Sequence, residues 1–198
     1  SFVSYGAAYW VPSYLIRVHE LTAQETGIYY GWIVVIFGTA GIVVGGYLAD
    51  VLTQRGRAEA KMQVAMLGAL LGVPFSVLYP LMSTPTAALL ALCPAAFAAA
   101  MPLGVAAAAI QQIMPANMRA QGSALYLFVI NLIGLGLGPS AVAWCTDYIF
   151  QDPNKVNLSL LWVGTFFGLA SALLLYFGSN HYRATLDYLE AYNEKHLT

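Results

Sequence analysis

The stretch Gly45–Arg57, GGYLADVLTQRGR, is a short charged island in a very apolar chain. It holds Asp50, Arg55 and Arg57 within eight positions. Residues 26–49, which lead up to Asp50, carry no charge. A bilayer core about 30 Å thick is crossed by about 20 helical residues. An uncharged run of this length therefore predicts a membrane-spanning helix that ends at this island, with a turn to a second helix behind it.

The composition points to the same environment. Hydrophobic residues make up 60% of the 198 residues and charged residues only 9%, whereas soluble domains carry about 25%. We predict an integral, multi-pass protein of a bacterial inner membrane or another cell membrane. The net charge of -1 gives no reason to expect nucleic acid as a partner. Cys93 and Cys145 provide neither a disulfide framework nor metal-ligand spacing, so no metal and no cofactor is predicted.

The uncharged runs predict six spans and an all-α membrane protein. Long continuous apolar runs exclude a closed barrel, whose strands would alternate apolar and polar residues. The stretch Met82–Thr86, MSTPT, divides the longest run into two spans. The first span is short and the chain opens without an initiator methionine, so we expect a piece of a longer polypeptide. The six spans are predicted at about 1–16, 28–51, 62–82, 86–113, 120–145 and 158–179.

The basic residues predict the orientation of the spans. Six of the eight Lys and Arg residues fall on one side if the spans alternate in direction. Cytoplasmic loops are enriched in Lys and Arg, so loop 52–61, loop 114–120 and the C-terminus are predicted to be cytoplasmic. Residues 181–198 form the predicted cytoplasmic tail, whose pattern is helical.

The interiors of the predicted spans lack ionisable side chains. Proton and ion relays across membranes normally use such groups, so any proton coupling is expected to depend on residues elsewhere in a larger molecule. An intramembrane enzyme needs a nucleophile and base or a metal cluster at membrane depth, and none is present, so no enzymatic activity is predicted. Rings of charge and filter-like loops, which a pore would need, are also absent from the sequence.

The island resembles a signature of the major facilitator superfamily. Gly46-Tyr47-Leu48-Ala49-Asp50, followed by Arg55-Gly56-Arg57, is similar to the G-x-L-x-D-R-x-G-R motif in the cytoplasmic loop after the second helix of each six-helix half. The match is degenerate, since Val51 replaces the first Arg and the Gly-Arg pair comes late. In this superfamily a weakened motif is usual in the second six-helix half, and an Arg in the fourth helix, which span 4 lacks, is common in the first half. The chain therefore resembles the second half. The resemblance implies that residues 1–180 are transmembrane helices 7–12, partnered by an N-terminal six-helix half.

Two further stretches resemble the spinster family within this superfamily. They are Tyr9–Gly27, YWVPSYLIRVHELTAQETG, and Leu127–Ser140, LFVINLIGLGLGPS. In animals this family implies export of lysolipids and of amphiphiles similar to sphingosine 1-phosphate. For microbial members of the family, the resemblance implies no specific substrate.

A gating role is predicted for Gly46, Asp50, Arg55, Arg57 and Arg119. Asp50 ends span 2, where the partial negative charge of the helix terminus disfavours an acid. It therefore needs a partner, which could be Arg55 or Arg57 folding back, or a helix of the other half. The resemblance implies the second contact, made in only one conformation. The alternative is a solvated loop whose positive charges set only the topology.

The predicted substrate-binding residues are Tyr5, Tyr9, Ser13, Met101 and Asn131. The first three recur at steps of four on one face of span 1, and tyrosine offers apolar area with a hydroxyl, although an aromatic belt at the interface is an alternative. Met101 offers adaptable apolar contact. Asn131 is a mid-membrane amide that must find a partner, either a neighbouring helix or a wet cavity.

Together these residues predict part of a secondary transporter that moves an amphiphilic substrate. The two halves would rock about a midplane site, with protons as a possible coupling ion supplied through the other half. A major facilitator transporter of a small organic anion, such as a sugar acid, is the alternative. Apolar and tyrosine side chains in the predicted spans favour the amphiphile. The least favoured reading is a membrane protein without a transport function.

Overall fold

The computed structural model describes residues 1–197, except for the side chains of residue 116 and residues 190–197; Thr198, the last residue of the predicted tail, lies outside the described residues. In this part of the chain the fold consists of six helical rods. We label them α1 to α6 in chain order. They run over Phe2–His19, Ala23–Gln54, Ala60–Leu81, Pro85–Ile113, Arg119–Phe150 and Val156–Leu197.

The six rods confirm the all-helical fold that the uncharged runs predict. Helices α2 to α6 are long and apolar enough to cross a membrane, whereas the 18-residue α1 is not among these five. The predicted break at MSTPT is present, since α3 ends in a tight turn at Tyr79–Leu81 and α4 begins at Pro85, capped by the Thr84 side chain. Helix α6 continues through residue 180 without interruption, so the division between bundle and tail stays a prediction.

The turn inside GGYLADVLTQRGR is built around one glycine. Helix α2 ends at Gln54, and Gly56 adopts a left-handed φ of 82°. The Gly56 amide donates to the Thr53 carbonyl at 2.9 Å, and the Arg57 amide donates to the Leu52 carbonyl at 3.1 Å. These two bonds are the Schellman pattern that satisfies the last carbonyls of a helix. The late Gly-Arg pair thus marks where this helix stops.

The start of α2 is closed by a capping box. The Thr22 side chain accepts from the Glu25 amide at 3.2 Å, and the Glu25 carboxylate accepts from the Thr22 amide at 2.9 Å. Two amides at this helix start therefore have side-chain partners. The box fixes where the chain leaves the short connection after α1.

Helix α4 is the centre of one half of the bundle, where it packs against α2 and α3. Its contact with α2 is lined by glycines. A methyl group added at Gly45 would lie 2.7 Å from the carbonyl oxygen of Met101, and one added at Gly104 would lie 2.7 Å from that of Ile42. From the other side, a methyl group at Gly68 of α3 would lie 3.0 Å from the Met101 Cβ. Helix α4 is therefore held at backbone distance by both neighbours.

Helix α1 packs against α5 and α6 on the other side of the bundle. The Gly134 and Gly138 pair makes this contact: added methyl groups would lie 2.7 Å from the Tyr5 ring and 2.5 Å from the Phe2 carbonyl oxygen. The small residues spaced four apart thus bring two backbones together, as this pattern does in membrane helices. A methyl group at Gly136, on the same helix, would meet nothing within 4 Å.

Besides the tight turn that ends α3, departures from α geometry lie in α2 and α5. Both helices contain π-helical turns, at Val34–Gly38 in α2 and at Ile130–Leu135 and Cys145–Phe150 in α5. Helix α4 carries two internal prolines, Pro94 and Pro102, yet keeps regular α-helical assignment throughout. Widened π turns are common at functional positions. One of these π turns, Ile130–Leu135, contains Asn131.

The two ends of the bundle hold different polar groups. At one end, which we call the Tyr14 end, the fully buried Tyr14 hydroxyl donates to the Tyr79 carbonyl at 2.7 Å. Because that hydroxyl has one proton, the His19 Nε2 atom 2.8 Å away must donate to its oxygen. Asn157 also reaches the carbonyl of Pro80 at 3.1 Å.

At the other end, the Arg57 end, the loop 55–59, the connection before α5 and the last part of α6 lie together. The Lys61 ammonium donates to the Gln112 side-chain carbonyl, which also accepts from the Tyr182 hydroxyl at 3.1 Å. This cluster joins α3, α4 and α6. The loops that carry most of the basic residues therefore share one end of the bundle, as alternating spans require.

Candidate functional site

The contact between α1 and α5 brings together two of the predicted substrate-binding residues. The Tyr5 hydroxyl donates to the Asn131 side-chain oxygen at 3.3 Å. The Asn131 amide nitrogen donates to the Leu127 carbonyl one turn earlier, at 2.7 Å. The partner that a mid-membrane amide needs is thus a neighbouring helix, the first of the two alternatives, and yet Asn131 remains exposed on the surface of this chain.

The backbone of α5 explains why Asn131 stands at this position. It lies in the π-helical turn Ile130–Leu135, in which each turn contains more residues than in an α-helix. Pro139 follows four residues after Leu135 and has no N–H to donate to the Leu135 carbonyl. The Pro139 carbonyl itself accepts from the Trp10 indole N–H at 2.8 Å. Helix α1 is therefore fastened to α5 within the irregular turn, at Asn131, and beyond it, at Pro139.

Tyr126 is a polar neighbour that the sequence does not single out. Its half-buried side chain is close enough to Tyr5 for the two hydroxyls to interact electrostatically. Tyr126 precedes Asn131 by five residues and lies in the α-helical part of α5, before the π-helical turn. Tyr5 thus has two polar neighbours on α5, Asn131 through a hydrogen bond and Tyr126 through electrostatics.

The remaining predicted residues on α1 have different surroundings. Tyr9 is 66% exposed and packs the edge of its ring against Trp10, with centroids 5.9 Å apart. Ser13 is half-buried, and Tyr14 one residue later is fully buried. A wholly buried ring does not fit an aromatic belt at the interface, so Tyr14 has a packing role at its end of the bundle.

Met101 differs from the sequence expectation of a substrate contact. It is 1% exposed and lies in a core cluster with Ala49, Val64 and Val105. The physical reason is the pair of glycine contacts described above, which bring α2 and α3 onto both sides of Met101. A side chain enclosed in this way presents no surface to a ligand, so we assign it to packing.

Gly46 and Asp50, from the predicted gating group, point away from α4. A methyl group added at Gly46 would meet nothing within 4 Å, in contrast to the adjacent Gly45. Asp50 is exposed, and its charge acts on the ammonium of Lys61. Both residues are therefore available to a neighbour outside this chain, in the way that the resemblance implies for a gating contact.

The arginines of the loop do not fold back onto Asp50. Arg57 instead donates to the Gln63 side-chain oxygen at 3.2 Å, and among the described side chains neither Arg55 nor Arg57 forms an ion pair with the acid. The left-handed Gly56 between the arginines directs the chain away from the end of α2. Of the two predicted partners for Asp50, the loop arginines are thus not used in this structure.

Arg119 lies at the start of α5 and bonds within its own connection. Its Nε atom donates to the Met114 carbonyl at 3.4 Å. Nearby, the Gln111 amide donates to the Ser123 hydroxyl at 3.1 Å, which joins α4 to α5 at the Arg57 end. Arg119 therefore shares an end of the bundle with the loop 55–59 and makes no hydrogen bond to it among the described residues.

Known proteins resemble this chain in sequence and in fold. An MFS-type efflux pump of Mycolicibacterium smegmatis is 27% identical over 185 residues, which cover 92% of this chain and 43% of the pump. Two crystal structures of a bacterial homologue of the human lysosomal transporter Spinster, inward-facing occupied and unoccupied, match with TM-scores of 0.66 and identities of 22% and 23%. They cover 93% and 94% of this chain.

These matches concern one part of longer proteins. The chain spans 43% to 46% of the length of each of them. At identities under 25%, the two structures show a shared fold, that of one half of a major facilitator transporter resembling spinster. The sequence profile described as the Major Facilitator Superfamily matches residues 1–139, which include the island, the Tyr5–Asn131 pair and Arg119. The chain therefore belongs to the major facilitator superfamily.

Proposed function

We propose that this chain is the C-terminal half of a secondary active transporter that moves an amphiphile of the lysolipid type by alternating access. The observation that carries the proposal is the Tyr5–Asn131 hydrogen bond on an otherwise apolar, exposed surface of α1 and α5. In transporters of this architecture the substrate lies near the bilayer midplane between the two halves. A surface of this composition suits a ligand with a small polar group and a long apolar part.

The side chains around the polar group support an amphiphile over a sugar acid. Large apolar side chains are exposed next to Asn131, with Phe128 at 63% and Leu132 at 59%. A polyhydroxylated substrate would call for several amides and arginines, because each hydroxyl removed from water needs a partner. The sugar-acid transporter remains the second candidate, and a membrane protein without transport is the least favoured.

Neutralisation of a phosphate headgroup and proton coupling are assigned to the other half. The runs 120–146 and 26–49, which form most of α5 and α2, contain no charged residue. The N-terminal six-helix half is therefore the proposed partner that supplies the cation and the titrating carboxylate. This chain contributes the apolar wall and the hydroxyl and amide groups, and we assign it no enzymatic activity.

Gating is proposed for the Arg57 end, which the distribution of Lys and Arg makes cytoplasmic. Gly46 and Asp50 face outward at the end of α2, where the other half would approach when that side closes. Arg55, Arg57 and Arg119 surround the same end. An Asp50→Ala change should leave expression intact and lower the transport rate. Unchanged transport would assign this loop to topology alone.

The transport experiment uses the intact protein reconstituted into liposomes with a pH gradient. We expect movement of a labelled lysophospholipid that depends on the gradient, little movement of a labelled sugar acid, and a lower lysolipid rate for Asn131→Leu. Met101→Leu is the matched control in the core. Gradient-driven movement of the sugar acid, with none of the lysolipid, would replace the first proposal by the second. Lysolipid transport by the 198-residue chain alone would contradict the assignment of essential residues to the other half.

A further inference from the structure

A cavity lies away from the Tyr5–Asn131 pair, between the ends of α2 and α3. It encloses about 570 Å³. Its walls carry leucines from both helices, and its mouth carries the two arginines of the loop. We call it the Arg55 groove. The residues that matter for the argument are Leu48, Leu52, Arg55, Arg57, Leu67 and Leu70.

The Arg55 groove opens on an exposed, apolar face of the bundle. Its α3 wall is formed by Leu67 and Leu70, which are 42% and 47% exposed. Gly68, on the opposite face of α3, packs against Ala98 and Met101 of α4. Since α3 packs against α2, α4 and α6, while the substrate-facing pair lies on α1 and α5, the groove is separate from the proposed transport path.

The positive charges of the groove come from the two loop arginines that follow α2. Arg55 and Arg57 are the charged side chains among its lining residues in the described part of the chain. The Schellman turn around Gly56 fixes the backbone of both arginines just beyond the end of α2. Arg57 uses one nitrogen on Gln63 at 3.2 Å, which leaves other guanidinium donors available. A guanidinium group offers a phosphate parallel N–H donors together with a positive charge.

The apolar part of the groove lies below the arginines in the direction of the membrane. Leu52 and Leu48 precede Arg55 by three and seven residues on the same helix, so at 1.5 Å per residue the leucine wall reaches about 10 Å from the charged mouth. The groove thus offers polar contacts at the helix end and apolar contacts one to two turns deeper. A phospholipid in a leaflet places its headgroup and its acyl chains in the same order. Basic pockets between membrane helices bind anionic headgroups in this way.

We propose that the Arg55 groove binds an anionic phospholipid, with its phosphate on Arg55 and Arg57 and an acyl chain along Leu48, Leu52, Leu67 and Leu70. Charge complementarity selects this occupant. A zwitterionic lipid offers its phosphate together with a cationic group that the arginines repel, and an acidic protein segment has no use for the leucine wall. The site is separate from the Tyr5–Asn131 pair, and the proposal holds for either side of the membrane.

The test measures lipid retention by the intact protein. The purified protein is freed of lipid in a non-ionic detergent and incubated with equal amounts of diacyl phosphatidylglycerol and phosphatidylcholine that carry the same chains. Native mass spectrometry then gives the ratio of the two bound lipids. We expect the wild type to retain phosphatidylglycerol preferentially, and the double variant Arg55→Gln/Arg57→Gln to lose about tenfold in that preference, since charge-assisted bonds are removed.

Three further variants keep the result interpretable. Arg183→Gln removes an exposed arginine of α6 outside the groove, and it should retain the wild-type ratio. Arg55→Lys/Arg57→Lys keeps the charge and should recover part of the preference, which excludes misfolding as the cause. Asn131→Leu should also retain the wild-type ratio, which separates this site from substrate binding. Equal retention of both lipids by the wild type, or an unchanged ratio in the double glutamine variant, would overturn the proposal.

Discussion

The contact between α2 and α4 and the contact between α1 and α5 use the same packing device for different purposes. In each, a glycine lets two helix backbones touch, while a second glycine nearby meets nothing: Gly45 next to Gly46, and Gly138 two residues after Gly136. The α2–α4 contact is apolar and encloses Met101. The α1–α5 contact carries Tyr5 and Asn131 and leaves the amide exposed.

This difference suggests that the α2–α4 contact is a structural scaffold and that the α1–α5 contact belongs to the substrate-binding surface. Helix α4 is held from two sides and keeps regular geometry despite two prolines. Helix α5 has neighbours on fewer sides and contains two π-helical turns. Elements that bind ligands and move are drawn from the less stable parts of a fold. We therefore expect substitutions in the first contact to change stability and substitutions in the second to change binding.

Gly45→Ala is expected to lower stability more than a substitution in the α1–α5 contact. The added methyl group would lie 2.7 Å from the Met101 carbonyl oxygen, and α4 cannot retreat because Gly68 of α3 lies against its other side. Overpacking of this kind costs about 1–3 kcal/mol, and we expect the upper part of that range. The measurement is the midpoint of thermal unfolding of the intact protein in detergent, followed by tryptophan fluorescence. Gly46→Ala is the control, and equal midpoints for the two variants would contradict the packing described for α4.

A smaller loss is expected from Gly138→Ala. Its methyl group would meet the Phe2 carbonyl oxygen at 2.5 Å, but Phe2 is in the first turn of α1 and is only half-buried, so it can shift. We expect about 1 kcal/mol, at the lower end of the range for overpacking. The same unfolding measurement applies, with Gly136→Ala as the control. A loss larger than that of Gly45→Ala would reverse the comparison between the two contacts.

The smallest effect on stability is expected from Tyr5→Phe. It removes a hydroxyl whose partner, Asn131, is exposed and keeps its second hydrogen bond to Leu127. Tyr14→Phe makes the same chemical change at a fully buried site and leaves the Tyr79 carbonyl without its donor. Loss of a buried partner costs about 1–3 kcal/mol, whereas an exposed bond contributes much less. If both variants unfold at the same temperature, the α1–α5 contact is as rigid as the core.

Much of the fold could be predicted because charged residues mark the ends of membrane helices. The long uncharged runs predict six rods, and the rods are present. Local features also follow known patterns: Thr22 and Glu25, three residues apart, have the spacing of a capping box, and Gly134 and Gly138, four apart, have that of a close helix contact. These features depend on residues a few positions apart, which the sequence shows directly.

The side on which each residue lies could not be predicted in the same way. A soluble helix has an apolar stripe that marks its buried face, but a membrane helix is apolar towards lipid and towards protein alike, so Gly45 and Gly46, or Met101 and its neighbours, look equivalent. The Tyr5–Asn131 bond joins residues 126 positions apart. The proximity of Tyr5 and Tyr126 likewise joins two distant parts of the chain.

The most direct test of the central claim is the dissociation constant of a fluorescent lysophospholipid for the intact protein. The claim is that the α1–α5 contact faces the substrate while Met101 belongs to the scaffold. We predict that Asn131→Leu raises the dissociation constant about tenfold, which corresponds to one lost polar contact, and that Met101→Leu leaves it unchanged. Wild-type affinity in the Asn131→Leu variant, together with weakened binding in Met101→Leu, would contradict the claim.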